Sequence, residues 1–199
     1  MPRNQESKMK ILSTASILFQ KQGYHATGLN QIIKESGCPK GSLYYYFPEG
    51  KEQLATEAIN RTKDLAAQEL KNLFSQHEDV TKALEYFFEQ SLSLNPKVEH
   101  NGIPLALISL ETWHMSERLR LACKDAYEAL IMILKEKFIQ SNWPPVEATE
   151  MSYLIFSMLE GGSIFVLTYQ SNEPLKRICK TIIELVEIKQ SEFRRNRRT

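Results

Sequence analysis

Lys40, Gly41, Ser42, Tyr44, Tyr45 and Tyr46 fall within seven consecutive positions, KGSLYYY. These residue types suit a polymer that carries phosphates and exposes base edges. Lysine supplies charge at the mouth of a groove. Glycine lets backbone and base edges approach closely. The short hydroxyl of Ser42 donates or accepts at a base or a phosphate. Tyrosine hydroxyls donate to phosphates while their rings touch sugar or a thymine methyl. A helix starting here would also point free N–H groups and the positive end of its dipole at phosphate. The plain alternative is two core helices with an aromatic cluster, and a short motif alone does not separate the two.

The elements that must position these residues are legible on either side. Thr27 is placed to cap a helix, its hydroxyl accepting from a first-turn N–H. Leu29, Ile32 and Ile33 follow at helical spacing and face a core. Gly37 stands where a helix end needs a positive φ, and Pro39 suits the start of the next helix. That second helix spans Lys40 to Phe47, with Leu43 and Phe47 turned inward, and Pro48 stops it. Thr27 to Lys51 therefore has the layout of a helix-turn-helix.

More of the pattern lies around it: Ile11–Leu12–x–x–Ala15–x–x–Leu18–Phe19, then Gly23–Tyr24–His25–Ala26–Thr27, then Ile32 through Gly37–Cys38–x–Lys40–Gly41–Ser42–Leu43–Tyr44–x–Tyr46–Phe47, and Lys51–Glu52–x–Leu54. In order and spacing this resembles the DNA-binding domain of the TetR family of bacterial transcriptional regulators. The resemblance implies that Thr27, Asn30, Lys40, Gly41, Ser42, Tyr44, Tyr45, Tyr46 and Lys51 meet DNA. Three departures stand out. Gly50 lengthens the connection before Lys51, Tyr45 replaces a more usual histidine, and Asn30 stands where some relatives carry a base-reading arginine.

Charge is divided along the chain. Residues 1–51 carry seven Lys/Arg against three acids, whereas residues 52–193 carry fourteen against twenty-one. The basic end suits phosphates, and the acidic body discourages indiscriminate binding to nucleic acid. The last six residues, RRNRRT, add four arginines and read as a disordered tail. No stretch reads as a membrane span or a secretory signal, so a cytoplasmic setting is expected. Cys38, Cys123 and Cys179 are odd in number and widely spaced, against a disulfide framework or a zinc site.

The remaining chain reads as helices, with no sustained period-2 alternation. The expected fold is all-α with about nine helices. It divides into a helix-turn-helix domain over residues 1–50, a helical effector-binding and dimerisation domain over 51–190, and the basic tail over 191–199. The first helix should run from about Gln5 to Gln22, and a long one from Lys51 to about Ser75 with Leu54, Ala58, Leu65, Leu70 and Leu73 on its stripe. Asp79 caps the next, which ends before Asn95–Pro96. Gly102–Ile103–Pro104 opens another, Ser116 or Glu117 a further one, and Val146–Tyr169 and Pro174–Lys189 are the last two.

Gly102–Ile103–Pro104 with Leu107 and Glu111, Leu119–Arg120 with Cys123, Glu160–Gly161–Gly162, Pro174–Leu175 and the Gly50-containing connection are similar to the LmrA-like, drug- and flavonoid-responsive branch of the family. That likeness implies a homodimer, an operator in double-stranded DNA and a small-molecule effector. Phe87, Phe88, Glu111, Trp113, His114, Met115, Tyr127, Phe156 and Tyr169 are the candidate effector pocket, since aromatic and Met walls suit a planar hydrophobic ligand. Met158, Gly161, Gly162, Phe165 and Val166 are the candidate dimer interface. No cofactor or metal is expected. Two other readings stay open. One is a regulator responding through the Cys38 thiol. The other is an enzyme acting on phenolic compounds, although His25, His77, His100 and His114 are scattered and no catalytic motif is present.

Overall fold

The computed structural model describes residues 3–93 and 105–196. Among them are nine helices and no strand: α1 Arg3–Ala26, α2 Leu29–Ser36, α3 Lys40–Tyr46, α4 Lys51–Ser75, α5 Val80–Ser93, α6 Leu105–Thr112, α7 Glu117–Gln140, α8 Pro145–Tyr169 and α9 Glu173–Asn196. The expected all-α class is what forms. Asn95–Pro96, His100, Gly102–Ile103–Pro104 and the last three residues of the tail lie outside the described residues.

The chain divides into two compact units, Met1–Leu65 with Ile103–Glu128, and Ala66–Gly102 with Ala129–Thr199. The division falls inside α4 and inside α7. The physical reason is that α6 and the start of α7 complete the core of the N-terminal helices. Ile11, Ala15, Phe19, Ile32, Leu43, Phe47 and Leu54 form one buried cluster with Leu105, Ile108, Leu119 and Ala126.

The second unit is held by packing of α8 on α9 and α5 on α9. Asp79 caps α5 as its position suggests, accepting from the N–H groups of Thr81 (2.9 Å) and Lys82 (3.3 Å). Gln190 donates to its other oxygen at 2.7 Å. In its described part, residues 191–196, the expected tail continues α9, with Phe193 packed edge-on against Trp143 and Arg194 near Asp79. Leu65 is also corrected, standing half in solvent, while Leu54 and Ala58 are buried as expected, together with Ala55, Ile59 and Phe74.

α8 overturns a further expectation. Its 25 residues include a window of mean hydropathy 1.4, long and apolar enough to cross a membrane by length and composition. Only 22% of that window is buried within the chain, so much of its apolar surface is left uncovered.

Candidate nucleic-acid interface

α2 forms because Leu29, Ile32 and Ile33 recur on one face, with Ile32 fully buried and the other two packed beside it. It ends at Gly37, which adopts φ 65° and donates to the Lys34 carbonyl. Pro39 occupies the N-cap of α3, one position earlier than its fixed φ alone suggests, and α3 begins at Lys40. Leu43 and Phe47 are fully buried and anchor α3, with the Phe47 N–H closing the last turn onto Leu43 at 2.8 Å.

That anchoring decides what faces out. Lys40, Gly41, Tyr44 and Tyr45 are exposed, Tyr45 at 71%. Ser42 and Tyr46 are half-buried. Tyr46 packs against the core and meets the Tyr45 ring edge-on at 5.0 Å, so it also holds Tyr45 in place. The Lys40 ammonium lies over the Tyr44 ring at 5.8 Å. Asn30 is exposed on α2. On α3 the exposed groups thus offer charge, hydroxyl and aromatic edge.

Thr27 does not share it. Its side chain is fully buried and its hydroxyl donates back to the Gly23 carbonyl at 2.7 Å. The N-cap of α2 is Gly28, which has no side chain to offer, so Thr27 neither caps α2 nor presents its hydroxyl to DNA. Lys51 is likewise engaged. Its ammonium sits 4.4 Å above the Tyr24 ring and 3.4 Å from the His25 carbonyl. Burial pushes its pKa down, and the Glu111 charge partly offsets that. Gly50 explains the longer connection: at φ 78° it turns the chain, and its carbonyl accepts the first bond of α4 from Leu54.

Sequence reasoning missed the junction at Gly23. α1 does not stop at Gln22. It breaks at Gly23 (φ 83°, ψ 175°) and resumes to Ala26. The N–H groups freed by the break, those of Tyr24 and His25, are taken by the Glu111 carboxylate of α6. Gly23 itself, within Gly23–Tyr24–His25–Ala26–Thr27, was the available signal. The first turn of α7 is tied to the same unit by polar links: Ser116 donates to Glu52, and Arg118 pairs with Glu49.

Residues 11–58 match the family model of bacterial regulatory proteins, tetR family. Residues 80–181 match that of the transcriptional regulator LmrA/YxaF-like C-terminal domain. The chain belongs to the TetR family. It is 42% identical over 183 residues to the HTH-type transcriptional regulator LmrA of Bacillus subtilis, covering 92% of this chain and 97% of that one. It is 41% identical over 185 residues to YxaF, an uncharacterized HTH-type regulator of the same organism, with the same two coverages. A TetR transcriptional regulator from Chloroflexus aurantiacus shares the fold, with a TM-score of 0.81 at 20% identity over 94% of this chain and 97% of that one.

In this TetR-family chain the candidate pocket residues are divided between the two units. Glu111, Trp113, His114, Met115 and Tyr127 belong to the first unit, and Phe87, Phe88, Phe156 and Tyr169 to the second. Glu111 spends its carboxylate on the α1 junction, so it is not a ligand-facing acid paired with His114. α6 ends at Thr112, and the turn beyond it leaves Trp113 and Met115 mostly in solvent, as is Tyr169 at the end of α8. Phe88 is core. A cavity of about 570 Å³ in the second unit is lined by Phe74, His77, Asp79, Lys137, Trp143 and Phe193, among others.

The candidate interface residues divide by face. Gly162 and Val166 are buried within the chain, Gly162 against Leu175 and Ile178 of α9. They are therefore intramolecular contacts. A Cβ at Gly161 would meet nothing within 4 Å, and Phe165 is half-exposed. Cys38 is buried in the helix-turn-helix core, with its thiol near the carbonyls of Ser7 and Ser36. That setting is a core residue's, away from the surface a redox sensor needs.

Proposed function

We propose that this TetR-type helix-turn-helix regulator is a dimeric repressor that leaves a palindromic operator when a small hydrophobic or aromatic effector binds. The observation that carries the reading is the outward set on α3. Lys40, Gly41, Tyr44 and Tyr45, with the half-buried Ser42, are held on α3 by the buried pair Leu43 and Phe47, and Asn30 is exposed on α2. One seven-residue helix covers few base pairs, so two heads related by a twofold are needed to read a site at fixed half-site spacing.

The uncovered apolar face of α8 supports the dimer. Tyr153, Leu154, Ile164, Phe165 and Leu167 are exposed, while Met158 and Gly161 are half-buried. A face of this kind matches an obligate homodimer interface, and burying it against a second copy accounts for the hydropathy of α8 without a membrane. The reading places the protein in the cytoplasm, as a binding protein with no catalytic role.

An effector releases DNA only by binding the released arrangement more tightly than the DNA-bound one. A tenfold loss of operator affinity takes about 1.4 kcal/mol of such coupling. The similarity to LmrA supports a drug-like or flavonoid-like effector class. A gel-shift comparison of the DNA upstream of its own gene with random DNA tests the reading. Preference for the upstream DNA, relieved by a planar phenolic compound, supports it, and equal affinity for both sinks it.

A further inference from the structure

We propose that Glu111 is a positioning residue for operator recognition, fixing the direction in which the reading helices leave α1. The proposal rests on the reading of a dimer on a palindrome.

Glu111 sits on α6, and its target lies 86 and 87 positions earlier in the chain. One carboxylate oxygen, Oε2, accepts from both Tyr24 N–H and His25 N–H, the latter at 3.1 Å. These donors exist because α1 breaks at Gly23, which turns them out of the helical ladder. A Cβ at residue 23 would collide with the carboxylate, so glycine there both makes the turn and leaves room for the acid. Bonds from backbone N–H groups to a charged acceptor are among the stronger hydrogen bonds.

A second grip closes on the same short segment. The His25 ring nitrogen Nε2 lies 3.4 Å from the Glu111 carbonyl, and Lys51 of α4 holds the Tyr24 ring and the His25 carbonyl. Beyond the break, Thr27 Oγ1 donates to the Gly23 carbonyl, and α2 begins two residues later. The segment from Gly23 to Thr27 is thus the joint between α1 and the α2–α3 reading pair, and Glu111 is the side chain that fixes it from α6. A tilt at this joint moves α3 along the groove. In a dimer that changes the half-site spacing the two heads can span.

The spacing is therefore the readout. A duplex is first selected from a random pool by the purified wild-type protein, and then lengthened and shortened by one base pair between its half-sites. Wild type should lose about tenfold or more in affinity on either change. Glu111→Ala should bind the selected duplex more weakly and lose much of that discrimination. Glu111→Gln keeps an acceptor oxygen and should fall between the two. Amide exchange at Tyr24 and His25, followed in the same variants, should accelerate in the same order. A role in stability alone would lower binding to all three duplexes by the same factor, and that outcome overturns the proposal. Should Glu111→Ala fail to fold, Glu111→Gln decides the matter: unchanged discrimination together with unchanged exchange at Tyr24 and His25 overturns it. A wild-type protein that selects no palindrome instead sinks the dimeric-operator reading itself, and the proposal with it.

Discussion

Gly162 runs so close to α9 that a Cβ there would stand 2.8 Å from the Ile178 Cδ1 methyl, whereas a Cβ at its neighbour Gly161 would meet nothing within 4 Å. The two glycines share a helix and little else. Gly161→Ala should raise stability by roughly 0.5–1 kcal/mol, the usual gain of alanine over glycine inside a helix. Gly162→Ala gains the same propensity but must push aside the terminal methyls of Ile178 and Leu175, so it should come out near neutral. Gly162→Leu overpacks the contact and should cost roughly 1–3 kcal/mol. Urea unfolding of the three variants measures all of this. A cost for Gly161→Leu seen only in dimer dissociation would place position 161 at the interface between copies.

Asp79 has a pH signature. Its burial alone would raise its pKa, but hydrogen bonds from Gln190 and from the N–H groups of Lys82 and Thr81 outweigh burial and hold it below the ordinary value. A folded pKa below the unfolded one means stability that is complete above about pH 4, the unfolded value, and is lost as pH falls through the folded value. Asp79→Ala should therefore cost roughly 0.5–2 kcal/mol at pH 7, the range for a lost helix cap. The gap between wild type and variant should shrink below about pH 4. Denaturant curves for both proteins at pH 7 and pH 3.5 check the sign.

The outward and inward faces of α3 were legible in the sequence because they are set locally. A glycine at a positive φ, a proline at a cap, and Leu43 and Phe47 four apart all act within a few residues. The Asp79 cap and the start of α4 at Lys51 were legible for the same reason. What escaped depends on contacts far apart in sequence. Thr27 reads as a cap until the break at Gly23 buries it. Glu111 reads as a pocket acid until α6 is seen to serve α1. The stripe of α4 fails at Leu65, at the edge of the first unit. The continuation of α9 needed Trp143 as a platform for Phe193, fifty residues away in the chain.

Cys179 is buried, and burial pushes its thiol pKa up to about 12. The thiolate is the reactive form, so this cysteine should resist alkylation in the folded protein at pH 8 and react rapidly in urea. A raised folded pKa also means a contribution that is complete below the unfolded value of about 8.5 and is lost as pH rises toward the folded value. Replacing Cys179 by Ala should flatten the decline of stability at alkaline pH. Mass spectrometry of labelled peptides reads the first expectation. Rapid labelling of Cys179 in native protein would contradict the burial of this side of α9.

Within α3, positions that hold the helix and positions that face out should separate cleanly on substitution. Phe47→Ala removes a fully buried ring and should cost roughly 3–5 kcal/mol, with Leu43→Ala at roughly 2–5 kcal/mol. Operator binding would be lost through unfolding of the head. Tyr45→Ala and Lys40→Ala alter exposed side chains and should change stability by less than about 0.5 kcal/mol, as surface substitutions usually do. Their effect should fall on DNA. Lys40→Ala should weaken binding to every duplex and reduce the slope of log affinity against log salt by about 1, the share of one phosphate contact. Tyr45→Phe keeps the ring and loses the hydroxyl, so it separates stacking from hydrogen bonding. Salt titrations of binding, run beside thermal melts, distinguish the two classes. A Lys40→Ala protein with an unchanged salt slope would remove the phosphate contact and leave Lys40 as a partner of the Tyr44 ring alone.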